Sequence, residues 1–319
     1  MLGGGGGGGL HAQGIAVTGR VVYGSAGRPV ARTWVVLHQV SMGGGGQPID
    51  STRTDARGVY TLTLRRPDSS SIYVVSSWHG GIAYFSEPIR AHGAETTARL
   101  SPLYVYDTSS TGPVVRIARR LVTVAKRKQD GTREVLELVE LENPGPATRV
   151  APDTLRPTWA GSLPPVAIQF QVGQGDVSPQ AVTRRRDSVA VYGPLPPRER
   201  KQLSYTYVLP ATVRSVSLPI DQGTEEVDLL LEDTVAVVTT PHLDSLPVED
   251  IAGRRFARYR TPPLAAGTTL AIAFPARGFG PEALIPFVVG VAALALAIGF
   301  WVALRRGRSR AIASPAPTR

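Results

Sequence analysis

The chain has no cysteine among its 319 residues. Disulfide bridges, thiolate metal sites and cysteine nucleophiles are therefore excluded, and apolar cores must hold the fold together. Asparagine is nearly missing too, because Asn143 is its one occurrence, and this argues against calcium loops built from clustered Asp and Asn. Histidine occurs five times, so imidazole has few positions from which it could act as a general base.

Helical periodicity is also scarce. Outside one terminal segment, no window of about twelve residues repeats its apolar positions every 3.6 residues. Short apolar runs alternate instead with turn residues, since the chain contains 34 glycines and 27 prolines. This pattern is typical of strands and turns. We therefore predict an all-β fold of tandem antiparallel β-sandwich domains, followed by one C-terminal transmembrane α-helix.

The terminal exception is Leu284–Leu304, 21 apolar and uncharged residues. As a helix it would be about 31 Å long, the thickness of a bilayer's hydrocarbon core. The arginines that follow it would stay on the cytoplasmic side: Arg305, Arg306, Arg308 and Arg310. We predict a single pass through the bacterial inner membrane, with the preceding domains outside and a basic tail, 305–319, in the cytoplasm. That tail carries about half of the chain's net charge of +10.

The N-terminal residues, 1–13, contain seven consecutive glycines at positions 3–9. Leu10-His11-Ala12-Gln13 resembles the cleavage end of a signal peptide, but the apolar middle and the basic start of such a signal are missing. One explanation is that the natural start lies upstream of Met1. The alternative is a glycine-rich leader, with the C-terminal helix itself as the insertion signal.

Period-two alternation marks individual strands. Tyr60, Leu62 and Leu64 alternate with polar residues, which predicts a strand with one face in water. Asp130-Gly131 lies between two Val- and Leu-rich runs and predicts a hairpin, because both residues tolerate positive φ. Further strands are predicted near 115–125, 133–142, 165–172, 203–209, 226–231, 234–239, 254–260 and 268–274.

Four segments near the N-terminus carry a family resemblance: Gly19-Arg20-Val21-Val22, Gly27-Arg28-Pro29-Val30-Ala31, Trp34-Val35-Val36-Leu37 and Thr54-Asp55-Ala56-Arg57-Gly58-Val59-Tyr60. They resemble the bacterial carboxypeptidase regulatory-like domain over about residues 14–101. The resemblance implies a small β-sandwich related in shape to transthyretin. The sequence departs from the family at Arg32-Thr33, where a Gly-Ala step is usual, and at the Gly43–Gly46 insertion.

Structural roles for this motif follow from its turn residues. Gly27 and Pro29 are expected to form one turn, and Asp55 and Gly58 a second turn before Tyr60 enters the core. Beyond this domain we predict a second sandwich over 102–219. Residues 220–279 are predicted to form a small β-rich domain or to continue the second sandwich.

Catalytic motifs are weak. His92-Gly93-Ala94-Glu95 matches an H-x-x-E pair, but the only later histidine is His242 and the α/β pattern of zinc peptidases is missing. Gly24-Ser25-Ala26-Gly27 has the wrong spacing for a nucleophile elbow, and no glycine run is followed by a phosphate-binding Lys-Ser/Thr pair. We therefore predict no catalytic, cofactor-binding or metal-binding residues, no cofactor and no enzymatic activity.

Basic residues form three clusters: Arg116, Arg119, Arg120, Lys126, Arg127 and Lys128; Arg184, Arg185 and Arg186; and Arg254, Arg255, Arg258 and Arg260 with Phe256 and Tyr259. Solvated strand faces are the favoured interpretation, with contact to anionic lipid head groups or wall polymers second and nucleic acid a remote third. Four nearby acids could neutralise part of the first cluster: Glu134, Glu137, Glu140 and Glu142.

These features favour a noncatalytic binding or scaffolding module at the cell envelope, with a protein or envelope polysaccharide as partner. One alternative is an accessory subunit of a membrane complex, and a less favoured one is a hydrolase with an unfamiliar site. A homodimer is also conceivable, because the pairs Ala293/Ala297 and Ala295/Gly299 place small residues four apart in the predicted membrane helix.

Overall fold

The computed structural model describes residues 14–24, 26–40, 46–91, 96–240 and 243–274. The described residues up to Ala273 belong to one unit, and they form strands with a single short 3-10 turn at Pro179–Ala181. The predicted all-β class is confirmed. The predicted leader, Leu284–Leu304 and the arginines from Arg305 to Arg310 lie outside the described residues. In the part of the chain that is described, we find no helix with the length and hydropathy of a membrane span.

Ten strands make up the N-terminal part of the fold: β1 (Ile15–Tyr23), β2 (Arg28–Pro29), β3 (Trp34–Val40), β4 (Gly46–Arg53), β5 (Val59–Leu64), β6 (Ile72–His79), β7 (Ile82–Phe85), β8 (Ile89–Arg90), β9 (Thr97–Arg99) and β10 (Leu103–Val105). In one five-stranded sheet, β1 pairs with β2, β5, β9 and β10. In the other, the order is β4-β3-β6-β7, and β8 pairs with β6. Val17 and Leu62 of the first sheet share a buried cluster with Leu37, Tyr73 and Val75 of the second. We call this part the N-terminal sheet pair.

Strand β5 follows the alternation that its sequence predicts. Tyr60, Leu62 and Leu64 are buried while their neighbours are exposed. The turn before it is closed by the Asp55 carboxylate, whose Oδ1 accepts bonds of 2.8 Å from the backbone N–H groups of Arg57 and Val59. Gly58 has φ +75°, and a Cβ there would lie 2.6 Å from the Val21 carbonyl oxygen. This position therefore requires glycine.

Fifteen further strands follow: β11 (Thr108–Ser109), β12 (Arg116–Val124), β13 (Arg133–Glu142), β14 (Thr148–Arg149), β15 (Trp159–Ser162), β16 (Ile168–Val172), β17 (Val182–Arg185), β18 (Ser188–Val191), β19 (Arg200–Leu209), β20 (Ser215–Pro219), β21 (Thr224–Leu231), β22 (Val237–Thr239), β23 (Asp244–Ile251), β24 (Arg254–Thr261) and β25 (Thr269–Ala273). The largest sheet has seven strands in the order β16-β19-β13-β12-β21-β24-β23. Two three-stranded sheets, β15-β18-β17 and β20-β25-β22, accompany it. The seven-stranded sheet takes strands from both sides of residue 220.

The centre of the seven-stranded sheet is a hairpin. Strands β12 and β13 are antiparallel, and the reversal between them contains Gly131 with φ +85°. Strand β12 lies between β13 and β21, and it pairs with β21 in parallel. Strand β21 is about a hundred residues further along the chain than β12. The Asp130-Gly131 hairpin was predicted from the sequence and is confirmed, whereas the parallel pairing had no local signal.

Short contacts connect the N-terminal sheet pair to the rest of this unit. Strands β11 and β14 pair in parallel, bringing Thr108 beside Thr148. The Tyr84 hydroxyl donates to the Tyr106 carbonyl at 3.0 Å and lies 2.7 Å from the Thr148 hydroxyl. Thr148 is fully buried, so this polar connection is shielded from water.

Candidate binding surfaces

The histidines that the structure describes have ordinary polar partners. His38 Nε2 lies 2.8 Å from the Ser76 hydroxyl, and His79 Nε2 lies 3.2 Å from the Asp107 carboxylate. The H-x-x-E pair, His92 and Glu95, and the later His242 lie outside the described residues. Within the ranges described, no group of three His, Asp or Glu side chains is arranged to hold a metal ion.

Most of the first basic cluster is paired with acids, as the nearby glutamates predicted. Arg116 lies 3.3 Å from Glu142, and Lys128 lies 3.1 Å from Glu134. These pairs join β12 or the turn after it to β13. The cluster is therefore close to neutral and does not form a basic patch.

Arg120, from the same cluster, is buried inside the fold. Its Nε donates to Glu137 at 2.8 Å and its Nη1 donates to the Pro219 carbonyl at 2.9 Å. The hydroxyls of Tyr205 and Tyr207 also donate to Glu137, at 3.0 and 2.9 Å. All four side chains are almost fully buried. We call these four residues the buried charge network.

Electrostatics in this network favour the charged form of Arg120 and the protonated form of both tyrosines. Burial disfavours the Arg120 cation, but the Glu137 carboxylate outweighs that cost and raises the pKa of Arg120. Burial, reinforced by the same carboxylate, raises the pKa of Tyr205 and Tyr207 well above the ordinary value, so both hydroxyls remain donors. Since every partner is engaged, the arrangement serves the core and leaves no group to attack a substrate.

The opposite face of the seven-stranded sheet carries charges of alternating sign from strand to strand. We call this set the charge ladder: Arg200 of β19, Glu140 and Glu142 of β13, Arg119 of β12, Glu226 and Asp228 of β21, and Arg258 and Arg260 of β24. Register places Arg119 beside both Glu140 and Glu226, so these side chains share one face. Alternating charges on neighbouring strands attract one another across the sheet.

Asp228 is the best-connected member of the charge ladder. Its side chain is nearly buried, Arg260 donates to it at 2.9 Å, and Arg119 makes a closer contact. Burial opposes the negative charge, but the bonds from Arg260 and Arg119 outweigh it and lower the pKa of Asp228. The third basic cluster is thus partly neutralised, with Arg258 lying 2.9 Å from Glu249 and Arg254 bound to Glu232.

Two polar cavities border these ion pairs. One, of about 430 Å³, is lined by charge-ladder residues together with Glu225, and each of its carboxylates has an arginine within 4 Å. The other, of about 460 Å³, lies beside Tyr106 and contains the Arg116–Glu142 pair and Arg198. The carboxylates that line both cavities are thus engaged by arginines in the folded protein.

A different surface lies on the outward side of the sheet formed by β3, β4, β6 and β7. Three aromatic side chains stand on adjacent strands there: Trp34 of β3 is 53% exposed, Trp78 of β6 is 63% exposed, and Phe85 of β7 is 57% exposed. Val35 of β3 pairs with Ser77 of β6. Trp34 and Trp78 are the next residues along these two strands, so their side chains lie next to each other. With Arg53 and His38 beside them, we call these residues the aromatic face.

Two basic side chains accompany the rings. The Arg53 guanidinium lies over the Trp34 ring at 4.7 Å, a cation–π contact. The His38 ring is 6.5 Å from that of Phe85. Large apolar side chains grouped on a surface are unusual on soluble domains and mark interaction sites, whereas single ones do not. The aromatic face is therefore the strongest candidate binding surface of the described residues.

Sequence analysis did not single out this surface, although a signal for it exists. In Trp34-Val35-Val36-Leu37, Val35 and Leu37 are buried, which places Trp34 on the outward side of a two-residue period. A tryptophan on the solvent-facing side of a strand is such a signal, because water-exposed aromatic side chains are typical of interaction surfaces. The assembly of Trp34, Trp78 and Phe85 could not have been predicted, because it depends on the pairing of three strands.

Comparison with known proteins yields no family. No protein-family model matches the chain, and no curated protein matches it. An M1 zinc metallopeptidase from Deinococcus radiodurans is a structural match with 10% identity and a TM-score of 0.34, covering 50% of this chain and 42% of that one. A 9R-lipoxygenase from Cyanothece PCC8801 matches with 13% identity and a TM-score of 0.24, covering 30% of this chain and 17% of that one. The chain thus spans less than half the length of either, and so low a similarity carries no argument about function.

Proposed function

We propose that this protein is a noncatalytic binding or scaffolding module, held at the bacterial inner membrane by Leu284–Leu304 with its domains outside the cytoplasm. In this proposal the N-terminal sheet pair is a β-sandwich of the carboxypeptidase regulatory-like type, and further sandwich-like sheets separate it from the anchor. The aromatic face is the single observation that carries the binding role. The basic residues Arg305, Arg306, Arg308 and Arg310 supply the orientation.

The pairing of charges supports a binding role over a catalytic one. Glu137 accepts three bonds within the buried charge network, and Asp228 is held by several arginines. A general acid or base needs a carboxylate or imidazole whose pKa lies near neutral pH. Ion pairing holds the pKa of Asp228 low instead.

In-cell cross-linking tests the binding role directly. A photoreactive amino acid replaces Trp78 in the full-length protein, and a matched variant carries it at Tyr104, an exposed tyrosine of the other sheet that Arg198 stacks upon. We expect a discrete cross-linked product from position 78 and none from position 104. Equal products from both positions, or none from either, would count against the aromatic face as the functional surface.

Protease accessibility tests the topology. Full-length protein with one epitope at residue 14 and another after residue 319 is expressed, and protease is added to intact spheroplasts. We expect the first epitope to be digested and the second to survive on a small membrane-bound fragment. Lysed spheroplasts are the control, in which both epitopes should disappear. Protection of the first epitope in intact spheroplasts would overturn the orientation.

The alternative role, an accessory subunit of a membrane complex, requires the anchor to make specific contacts with another membrane helix. Small residues four apart, such as Ala293 and Ala297, allow close helix packing. Replacing 284–304 by an unrelated spanning helix should leave a tethered binding module functional. It should abolish the function of a subunit whose anchor makes specific contacts.

A further inference from the structure

The aromatic face has a chemistry that indicates its ligand. We propose that it binds an anionic glycan, a chain of linked sugars bearing carboxylate or phosphate groups. This inference rests on the proposed function of a binding module at the envelope and names the class of its partner.

The three aromatic rings lie on the outward side of one sheet. Trp34, Trp78 and Phe85 stand on three neighbouring strands, which are about 4.8 Å apart in a sheet. Each ring is more than half exposed. Trp34 and Trp78 lie side by side beyond the Val35–Ser77 pair, and Phe85 opposes Ser76, two residues along β6 from Trp78. The rings thus spread over an open sheet surface, which suits an extended ligand that lies flat on it.

The flat faces of the aromatic rings suit the flat sides of sugar rings. A pyranose ring has C–H groups on its flat sides and hydroxyl groups around its rim. Aromatic rings present a flat, electron-rich face that stacks on such C–H surfaces, as they stack on the faces of bases in single-stranded nucleic acids. Successive sugars of a chain can occupy successive rings without a deep pocket.

The charged side chains around the aromatic rings are basic. Arg53 lies on this face, opposite Trp34 on β4. A second arginine, Arg90, points to the same side of the sheet further along it, opposite Ile72 on β6. Outward positions paired with β3, β6 and β7 hold no carboxylate. The nearby Asp50 instead accepts a bond of 2.7 Å from the backbone of Thr63 in the other sheet. The face thus offers cations and donors, which complement an acceptor-rich, negatively charged chain.

Charge also argues against a second copy of this chain as the occupant. A two-fold contact would join this face to the same face of the other copy. Neither copy would then supply a carboxylate to the other copy's Arg53, so both arginines would lose contact with water without a counter-charge.

Binding isotherms test the proposal. Full-length protein in neutral phosphatidylcholine nanodiscs is titrated against immobilised alginate, a polyuronate, and against immobilised dextran, which is uncharged. We expect saturable binding to alginate and at least severalfold weaker binding to dextran. Trp78→Ala and Trp34→Ala should each weaken alginate binding by about tenfold, the effect of losing one stacking platform.

Matched variants separate stacking from charge. Tyr104→Ala removes an exposed ring that also has an arginine partner, Arg198, but lies on the other sheet, and it should leave alginate binding unchanged. Arg53→Gln should weaken binding to alginate and reduce its dependence on salt, without changing the weak binding to dextran. Folding of each variant is checked by circular dichroism.

Four results would overturn the proposal: no binding to alginate, equal binding to dextran, an equal loss in Tyr104→Ala, or tryptophan-dependent capture by phosphatidylglycerol vesicles in place of alginate. The last result would identify a lipid surface as the ligand. Failure here is distinguishable from failure of the proposed function. Specific cross-links from position 78 without glycan binding would leave the binding role intact and reject only this ligand class.

Discussion

The N-terminal sheet pair and the seven-stranded sheet use charge in opposite ways. On the aromatic face, Arg53 stacks on Trp34, and the outward positions paired around it hold no acid. On the seven-stranded sheet, arginines and carboxylates alternate across neighbouring strands, and Arg120 and Glu137 form a pair even in the interior. Arginine-rich sequence is thus a poor guide to ligand binding. What matters is whether the neighbouring strands supply acids.

The buried charge network provides the sharpest test of this contrast. Glu137→Gln keeps the shape of the side chain but leaves the buried Arg120 without a counter-charge. We expect the free energy of unfolding to fall by about 3–5 kcal/mol, because an unpaired buried charge is costly. Urea denaturation of the full-length protein in detergent, followed by circular dichroism, measures it.

Glu140→Gln is the matched control for that variant. Glu140 lies on the same strand, but it is partly exposed and 3.9 Å from Arg200. Its loss should cost no more than about 0.5 kcal/mol, as is usual for exposed ion pairs. Equal losses in free energy of unfolding for the two variants would show that the buried ion pair is no more important for stability than the exposed ion pairs of the charge ladder.

Asp228 should show an intermediate effect. Asp228→Asn removes the negative charge that Arg119 and Arg260 share, and we expect a loss of about 1–2 kcal/mol. The loss is smaller than for Glu137 because both arginines are partly exposed and water can solvate them. A loss in free energy of unfolding as large as that of Glu137→Gln would mean that the ion pairs of the charge ladder stabilise the fold more strongly than their exposure to water suggests.

Acid should weaken the seven-stranded sheet through Glu232. Bonds from Arg254 and from the Lys126 backbone lower the pKa of Glu232 from its ordinary value of 4.5 to about 2. A pKa depressed in the folded state adds stability above the ordinary pKa, and this is lost as the pH falls through the folded value.

The measurement is the free energy of unfolding from pH 7 to pH 2 for the wild-type protein and for Glu232→Gln. At neutral pH the variant should be less stable by about 1–2 kcal/mol. The difference should shrink between about pH 4.5 and pH 2. A difference that stays constant with pH would exclude ionisation of Glu232 as its source.

The smallest expected effect on stability is on the aromatic face. Trp34→Ala and Trp78→Ala should lower the free energy of unfolding by no more than about 1 kcal/mol, because more than half of each side chain stays exposed in the folded state. Denaturation under the same conditions checks it. A loss above about 2 kcal/mol would indicate that the rings serve packing, and would weaken their assignment to a ligand.

Local patterns in the sequence predicted the strands well. The burial of Tyr60, Leu62 and Leu64 follows the period of two, and the Asp130-Gly131 reversal joins β12 and β13 as its turn residues require. Such signals are local, because side-chain direction and turn geometry depend on a few adjacent residues. Arg32 is an exception to such local signals, since it has φ +57°, a left-handed conformation that favours glycine.

The candidate site was not predicted. Sequence analysis drew attention to Arg119, Arg258 and Arg260, yet each of these has a carboxylate partner on a neighbouring strand. Asp228 is 109 residues from Arg119, and no local pattern connects the two. Trp34, Trp78 and Phe85 are likewise separate in the chain and become neighbours only through the order β3-β6-β7.

By itself, then, the amino-acid sequence determined the strand-rich class, the positions of the tight turns and the exclusion of disulfides. Only the tertiary structure decided which charges neutralise one another and which aromatic rings share a surface. The physical reason is that the two-residue period sets the face on which a side chain points, whereas its neighbours depend on strand pairing between distant segments.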